Sequence, residues 1–179
     1  FNKEHSFTAN YNGRSNQPSF NQLQPITDNS NRQNTITGNP HLKPEFTNSF
    51  QMEYRQADWS SGYTMFTNIN LSQTQNKIVT SRVIIPDSIK QETSYINADG
   101  FYNARGYYSF SKPFADRKYT LTYFGGTGYS NNIAFTDNQR NIGKNWQVSQ
   151  GLRFRLDIKD VIDTEIRTSY SFNKTNYSL

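Results

Sequence analysis

Several features are missing from this sequence, and each absence excludes a class of site or structure. It has no cysteine, which excludes disulfide bonds and thiolate metal ligands. Its two histidines, His5 and His41, have no carboxylates at metal-ligand spacing, so we predict no metal site and no cofactor. The longest apolar run, near Val83-Ile84-Ile85, is far shorter than the roughly 20 residues of a membrane-spanning helix. No charged and apolar leader precedes Phe1, so we expect that any signal peptide was removed or not included.

The composition is poor in aliphatic residues and rich in aromatic ones. Hydrophobic residues make up 33% of the 179 positions, below the usual share of a soluble domain, whereas aromatic residues reach 15%. Because disordered chains are poor in aromatic residues, this composition does not indicate disorder. Abundant Tyr, Phe, Asn, Ser and Thr are typical of a sheet with one lipid-facing side and one wet side. The scattered net charge of +5 favours solubility or lumen lining over nucleic-acid binding.

Apolar and polar residues alternate along much of the chain, and helical periodicity is nearly absent. This pattern predicts β-strands, each with one apolar and one polar face. The alternation is clearest in residues 45–55, 145–159 and 163–173. The seven predicted strands are residues 6–11, 45–55, 63–72, 101–111, 118–123, 145–159 and 163–173.

The connections between these strands alternate in length. Short turns are predicted at residues 56–61, 112–117 and 159–161, and long polar loops at residues 13–44, 76–98 and 131–144. Short turns at one end and long loops at the other are typical of an outer-membrane barrel. We expect the middle loop to form a hairpin that turns at Pro86-Asp87-Ser88, and the first loop to contain a helical turn within residues 18–25.

The same alternation also fits a soluble β-sandwich, whose polar face meets water and whose apolar face packs on a second sheet. Two features favour the barrel. The polar faces are nearly free of apolar residues, with Phe66 as the exception, and aromatic residues gather near the short turns. Such clustering fits the girdle of aromatic residues that surrounds a barrel at the membrane–water interface. The clustered residues are Tyr54, Trp59, Phe110, Phe114 and Tyr119.

One stretch resembles the signature of a known family. GNPHLKPEF, from Gly38 to Phe46, resembles the GNPxLKPE signature that leads from a long outer loop into a strand of TonB-dependent receptors. Pro44 fixes φ where a strand begins, a position at which proline is tolerated, and biases Lys43 toward extended geometry. The signature residues are Gly38, Asn39, Pro40, Leu42, Lys43, Pro44 and Glu45.

Three further stretches resemble the outer-membrane β-barrel family of Bacteroidota receptors. They are YNGRSNQPSFNQLQPITDNSN (11–31), INADGFYNARGYYSFSKPF (96–114) and GLRFRLDIKDVIDTEIRTSYSFNKTNYSL (151–179). The resemblance therefore covers essentially the whole chain. It implies an all-β fold, namely an antiparallel up-and-down transmembrane β-barrel segment of about seven strands in the bacterial outer membrane. The long loops would be extracellular and the short turns periplasmic.

The family's complete barrels have 22 strands and a plug domain that contacts TonB. Residues 1–179 are therefore expected to form a partial barrel, from the C-terminal half of a larger one, with no plug domain. Seven strands cannot close a bacterial barrel, whose counts are even and begin at 8, so we expect the first and last strands to pair outside this sequence. The expected partners are outer-membrane lipid, the remaining strands of the barrel or another barrel protein, and TonB only through the absent plug.

In a barrel, the two faces of each strand have different surroundings. The predicted lipid-facing residues are Phe46, Phe50, Met52, Tyr54, Leu152, Phe154, Leu156, Ile166 and Tyr170. The predicted lumen-lining residues are Arg105, Arg153, Arg155, Asp157, Glu165 and Arg167, with Tyr107 as a weaker candidate. If a turn near residue 160 pairs the last two strands, their charges become mixed-sign neighbours, which favours an ion-pair network over substrate contact.

No arrangement of nucleophile, base and oxyanion donors is recognisable, and no helix follows GGTG at residues 125–128, so no enzyme is predicted. The implied function is nutrient uptake (a siderophore, vitamin, glycan or peptide) by an outer-membrane TonB-dependent receptor. The alternative is a non-transporting barrel that serves as a structural or assembly component of a surface complex. An upstream plug and TonB-contacting segment would discriminate between them. A third interpretation, a soluble sandwich adhesin that binds glycans through Tyr and Trp, differs from both by not partitioning into detergent.

Overall fold

The computed structural model describes residues 4–86, 88–158 and 161–178 and consists almost entirely of β-strands. Besides one short helix, α1 (Phe20–Leu23), these residues form eleven strands that belong to one sheet. No helix in the described ranges is long and apolar enough to cross a membrane. The strands are β1 (His5–Asn16), β2 (Thr27–Asp28), β3 (Asn34–Thr37), β4 (Glu45–Ala57), β5 (Thr64–Gln75), β6 (Lys77–Ile84), β7 (Gln91–Ala98), β8 (Phe101–Phe114), β9 (Tyr119–Thr136), β10 (Gln139–Ile158) and β11 (Ile162–Tyr177).

Seven of these strands form an antiparallel meander. Its order is β1, β4, β5, β8, β9, β10 and β11, and each strand is hydrogen-bonded to the next. These are the seven strands that the alternation predicts. The expected total of about seven strands is nevertheless too low, because the long connections contain strands of their own.

The prediction of a long loop at residues 131–144 is wrong. β9 and β10 continue through this region and meet at a two-residue turn, Asp137-Asn138, with φ of 52° and 60°. Positive φ at both positions matches the right-handed twist of a hairpin, and Asp and Asn tolerate this conformation better than most residues. The polar composition of the segment had indicated a loop, but pairing between Gln139 and Thr136 extends the ladder to the turn.

β9 also continues through Gly125, Gly126 and Gly128, where we expected the strand to end. A Cβ atom at Gly125 would lie 2.7 Å from the Tyr108 hydroxyl and 2.6 Å from the Ser149 carbonyl oxygen. Because neighbouring strands occupy this space, glycine permits their close approach here. The glycines are therefore packing positions within the strand.

The middle long connection forms the expected hairpin, β6 and β7, and residue 87 of its turn lies outside the described residues. β6 pairs in parallel with the far end of β9, β7 pairs in parallel with β3, and β3 pairs with β2. We call β6, β7, β3 and β2 the accessory sheet. The helical turn expected in the first loop is confirmed as α1, which begins with a capping box between Ser19 and Gln22.

The register divides the meander into two faces. Directly paired residues of antiparallel strands point to the same side, so each face can be followed across all seven strands. One row, Tyr54–Thr67–Tyr108–Gly125–Gln150–Tyr170, runs along what we call the apolar face. The adjacent row, Glu53–Asn68–Tyr107–Gly126–Ser149–Ser171, runs along the polar face.

The predicted lipid-facing residues all lie on the apolar face, and the six predicted lumen-lining residues all lie on the polar face. On β10 the apolar positions run from Trp146 to Leu156, a length that matches the roughly 9–11 residues with which a tilted strand crosses a bilayer. Gln150 interrupts this run, but its side-chain oxygen accepts hydrogen bonds from the hydroxyls of Tyr108 and Tyr123. The polar group on this face is therefore partly satisfied by its neighbours.

The meander is a single layer. Leu152 and Tyr170 on its apolar face remain 46% and 71% exposed, and no described side chain has an exposure below 2%. In a sandwich, a second sheet would cover such residues. The soluble-sandwich interpretation therefore does not fit the part of the chain that the structure describes.

The sheet is open within the described ranges. β1 is paired only with β4, β11 is paired only with β10, and the two do not pair with each other. This confirms the expectation that these strands do not close a barrel among themselves. Each outer strand retains a row of backbone N–H and C=O groups that can pair with another strand.

The short turn after β4 is held by Asp58. Its carboxylate accepts hydrogen bonds from the Ser60 hydroxyl at 2.7 Å, the Ser61 hydroxyl and the Ser60 N–H. These bonds favour the charged form and hold the pKa of Asp58 well below its ordinary value. Arg117 Nη2 donates to the Trp59 carbonyl at 2.7 Å and thereby joins this turn to the next short one.

The packing at Gly151 gives a stability prediction. We expect Gly151→Ala to lower the free energy of unfolding by about 1–3 kcal/mol through overpacking, because its Cβ would lie 2.6 Å from Phe124 Cε2. Gly106→Ala is the matched control, since its Cβ would meet no neighbour closer than 3.7 Å. Urea unfolding in lipid vesicles measures both variants. Equal losses at the two positions would contradict the proposed packing.

Candidate functional site

We call residues 38–45, which resemble the family signature, the signature loop. This loop approaches α1 at Gly38. A Cβ atom at this position would lie 2.8 Å from the carbonyl oxygen of Asn21 and 2.9 Å from that of Gln22. The next residue, Asn39, donates its N–H to the Gln22 carbonyl at 2.6 Å. Glycine is required at position 38 because any side chain would separate the loop from the helical turn.

Two asparagine side chains fasten the loop to β7. Asn39 Nδ2 donates to the Tyr95 carbonyl, and its Oδ1 accepts from the His41 N–H, both at 2.9 Å. From β7, Asn97 makes a reciprocal pair with Lys43: its Oδ1 accepts from the Lys43 N–H at 2.8 Å, and its Nδ2 donates to the Lys43 carbonyl at 2.9 Å. These bonds hold the start of β4 against the accessory sheet.

Leu42 and Glu45 complete the attachment. Leu42 is one of the few buried apolar residues, at 8% exposure. Glu45 accepts from the Ile78 N–H at 2.8 Å and from Asn16 Nδ2 at 3.3 Å, so one carboxylate joins β4 to β6 and β1. The signature loop is therefore a structural connection between the meander and the accessory sheet.

Five of the six charged candidates lie together on the polar face near the β10–β11 turn, of which residues 159 and 160 lie outside the described residues. Arg155 donates to both carboxylate oxygens of Asp163, at 3.1 and 2.9 Å, and lies 3.4 Å from Asp157. Arg153 Nε lies 3.2 Å from Glu165 Oε1, although without hydrogen-bond geometry. Mixed-sign contacts therefore form across the two strands, but diagonally, because Arg153 stands directly opposite Arg167 and Asp157 directly opposite Asp163. Because these pairs are solvent-accessible, each contributes little to stability.

Arg167, the fifth member, contacts an aromatic ring. Its guanidinium carbon lies 4.4 Å from the centroid of Phe124, and that of Arg153 lies 5.8 Å from the same ring. Phe124 is 8% exposed because Gly151 on the adjacent strand leaves room for its ring. Sequence reasoning missed this residue, and the register between β9 and β10 is what reveals it.

Arg105 lies apart from this network. In register it stands between Asn70 of β5 and Gly128 of β9, away from the β10–β11 turn. Among the described residues, no carboxylate lies within salt-bridge distance of Arg105. The structure therefore separates the six candidates into a charge network of five and one unpaired arginine.

Arg105 borders a groove of about 470 Å³ on the polar face, which we call the Arg105 groove. Its volume lies in the range of small-molecule sites, about 300–1,000 Å³. Arg105 and Tyr107 rise from β8, and the floor is β9 at Gly126 and Gly128, where missing side chains deepen the recess. The remaining sides combine amide and hydroxyl side chains with apolar surface, and they are formed by Asn68, Asn70, Thr127, Gln147, Val148, Ser149, Ser171, Phe172 and Asn173.

Sequence reasoning named Arg105 and Tyr107 but missed the amides opposite them. These amides lie on β5, β10 and β11, and alternation alone does not tell which strands meet. The two histidines stay apart: His5 Nδ1 lies 2.9 Å from the Tyr54 hydroxyl, and His41 is exposed in the signature loop. No cluster of three or more His, Asp or Glu suited to a metal ion occurs in the described ranges.

The comparison with protein families agrees with this geometry. The whole chain, residues 1–179, matches the model of the outer membrane protein beta-barrel family. No curated protein matches the chain. Together with the all-β sheet, the family match confirms the expected fold class.

The attachment of the signature loop can be tested at Asn97. We expect Asn97→Ala to speed hydrogen exchange at the Lys43 amide about tenfold or more, because that N–H loses its acceptor at a cost of about 1–3 kcal/mol. Asn132→Ala, an exposed asparagine on β9, is the control. Hydrogen exchange followed by mass spectrometry measures both. Unchanged exchange in the Asn97 variant would show that this side chain does not hold the loop.

Proposed function

The chain belongs to the outer membrane protein beta-barrel family and lies in the bacterial outer membrane, and from this we propose that it forms part of a TonB-dependent receptor. In this role the sheet is a section of the barrel wall through which a nutrient enters. The nutrient is a siderophore, vitamin, glycan or peptide. Residues 1–179 contribute to the C-terminal half of the barrel.

The observation that carries this proposal is the two-sided sheet. Lipid requires an apolar surface on one side, and a water-filled lumen requires a polar one on the other, with all backbone groups paired in the ladder. We assign the apolar face to lipid and the polar face to the lumen. Arg105 and the charged residues near the β10–β11 turn then line the lumen.

The resemblance of residues 38–45 to GNPxLKPE supports the narrower assignment to TonB-dependent receptors of Bacteroidota. In that assignment the signature loop and the accessory sheet lie outside the cell, and the turns near Asp58 and Arg117 lie in the periplasm. TonB acts through a plug domain that residues 1–179 do not include.

The open edges of β1 and β11 support a larger barrel. An unpaired backbone group in hydrocarbon costs several kcal/mol, so neither edge can remain bare in a membrane. We propose that both strands pair with further strands, from the same barrel or from another barrel protein.

A non-transporting barrel in a surface complex is the alternative. The charge network fits either function, because it stabilises a wall whatever passes beside it. The Arg105 groove favours uptake, since a purely structural wall needs no recess of ligand size. Binding and passage, without catalysis, are the roles that we assign to this part of the protein.

The orientation of the sheet is tested by placing a charge on each face. We expect Leu152→Arg to lower stability by about 2–4 kcal/mol, because the guanidinium would lie in the centre of the hydrocarbon layer. Thr8→Arg, on the polar face opposite Glu53, should change stability little. Urea unfolding in lipid vesicles measures both variants. A larger loss for Thr8→Arg would reverse the assignment of the faces.

Uptake is tested in the source bacterium by deleting the gene. We expect the deletion strain to lose growth on one nutrient class when it is supplied as the limiting source, and the intact gene to restore it. A strain without TonB should show the same defect. Normal growth on every nutrient, together with loss of a surface complex, would contradict uptake and favour the alternative.

A further inference from the structure

We propose that the Arg105 groove binds an acidic saccharide, with Arg105 holding a sugar carboxylate and the surrounding amides and hydroxyls holding the sugar hydroxyls. This inference rests on the proposed uptake function and names its substrate class. It follows from the charge, the hydrogen-bonding groups and the shape of the groove.

Charge is distributed unevenly on the polar face. Near the β10–β11 turn, acidic and basic side chains neutralise one another. The lining of the Arg105 groove contains no Asp, Glu or Lys, and Arg105 is its one charged residue. The acid nearest in register, Glu53, lies opposite Asn68 and already pairs with Arg55 at 2.7 Å. The groove therefore carries an uncompensated positive charge.

Arg105 differs from the other arginine candidates in having no partner. Arg153 and Arg155 contact carboxylates, and Arg167 lies on the ring of Phe124. Within the described ranges no carboxylate approaches Arg105, so its planar fork of N–H donors is available to a ligand. A carboxylate is the group that this fork binds with two parallel hydrogen bonds.

The other lining groups favour a hydroxyl-rich ligand. Asn70 Nδ2 donates to Asn68 Oδ1, which leaves the Asn68 amide N–H groups and the Asn70 carbonyl oxygen for a ligand. Gln147 adds a second amide with both donors and an acceptor, and Ser149 adds a hydroxyl. Sugar hydroxyls also donate and accept, so they complement such a lining without requiring further charge. Tyr107, 45% exposed at the edge of the groove, adds a ring face against which a sugar ring can pack.

Binding to the intact protein in detergent micelles tests this inference. The probes are short oligosaccharides of galacturonic, glucuronic and mannuronic acid, each with the uncharged oligosaccharide of the same length as its control. Isothermal titration calorimetry measures the dissociation constants. We expect at least one acidic probe to bind about tenfold or more tightly than its uncharged counterpart, because hydrogen bonds to charged groups contribute that much.

Substitutions then locate the binding to the groove. We expect Arg105→Gln to weaken the acidic probe about tenfold or more, and Arg105→Lys to weaken it less, because lysine keeps the charge but loses the fork. Arg14→Gln, on the polar face of β1 outside the groove, is the matched control and should bind as the unaltered protein does. Equal unfolding midpoints of the three variants establish that the fold is intact.

Three results would overturn the assignment: no acidic probe binds, acidic and uncharged probes bind alike, or Arg105→Gln binds unchanged. Failure of the uptake proposal gives a different result. If an acidic probe binds through Arg105 but gene deletion leaves growth on every nutrient intact, the groove assignment stands and uptake is wrong. If deletion abolishes growth on an uncharged nutrient and no acidic probe binds, uptake stands and the groove assignment is overturned.

Discussion

The register of backbone hydrogen bonds between β4, β5, β8, β9, β10 and β11 is the constraint on which the rest of this structure depends. Because side chains alternate with period two, a slip of one residue between β8 and β9 would move Arg105 to the apolar face. In an outer-membrane barrel such a slip is unfavourable on both faces, because it would place charged side chains in lipid and apolar side chains in water. Alternation and membrane therefore enforce the same register.

Glycine allows the strands and loops to come close enough for this register to hold. Gly151 accommodates the ring of Phe124, Gly125 leaves space for the Tyr108 hydroxyl, and Gly38 lets the signature loop reach α1. In each case the space of a missing side chain is filled by an atom of a neighbouring element. The thin sheet thus gains specific contacts although it has almost no buried core.

Charged side chains that have partners and the arginine that has no carboxylate partner occupy different parts of the polar face. Near the β10–β11 turn, Arg155 and Asp163 satisfy each other, and Arg167 uses an aromatic ring. Further along the face, Arg105 is surrounded by neutral amides and glycines. The guanidinium of Arg105 thus has no carboxylate partner among the described residues, whereas the charges near the β10–β11 turn pair with one another.

The sequence by itself determined that the seven meander strands exist and on which face Leu152 and Arg153 each lie, because alternation is a local property of each strand. Its resemblance to GNPxLKPE also located the start of β4. Only the tertiary structure decided that residues 131–144 form a hairpin, that β6 pairs with β9, and that Arg105 shares a groove with amides of three other strands. Those features depend on which distant segments become neighbours, and a local pattern of polar and apolar residues carries no information about that choice.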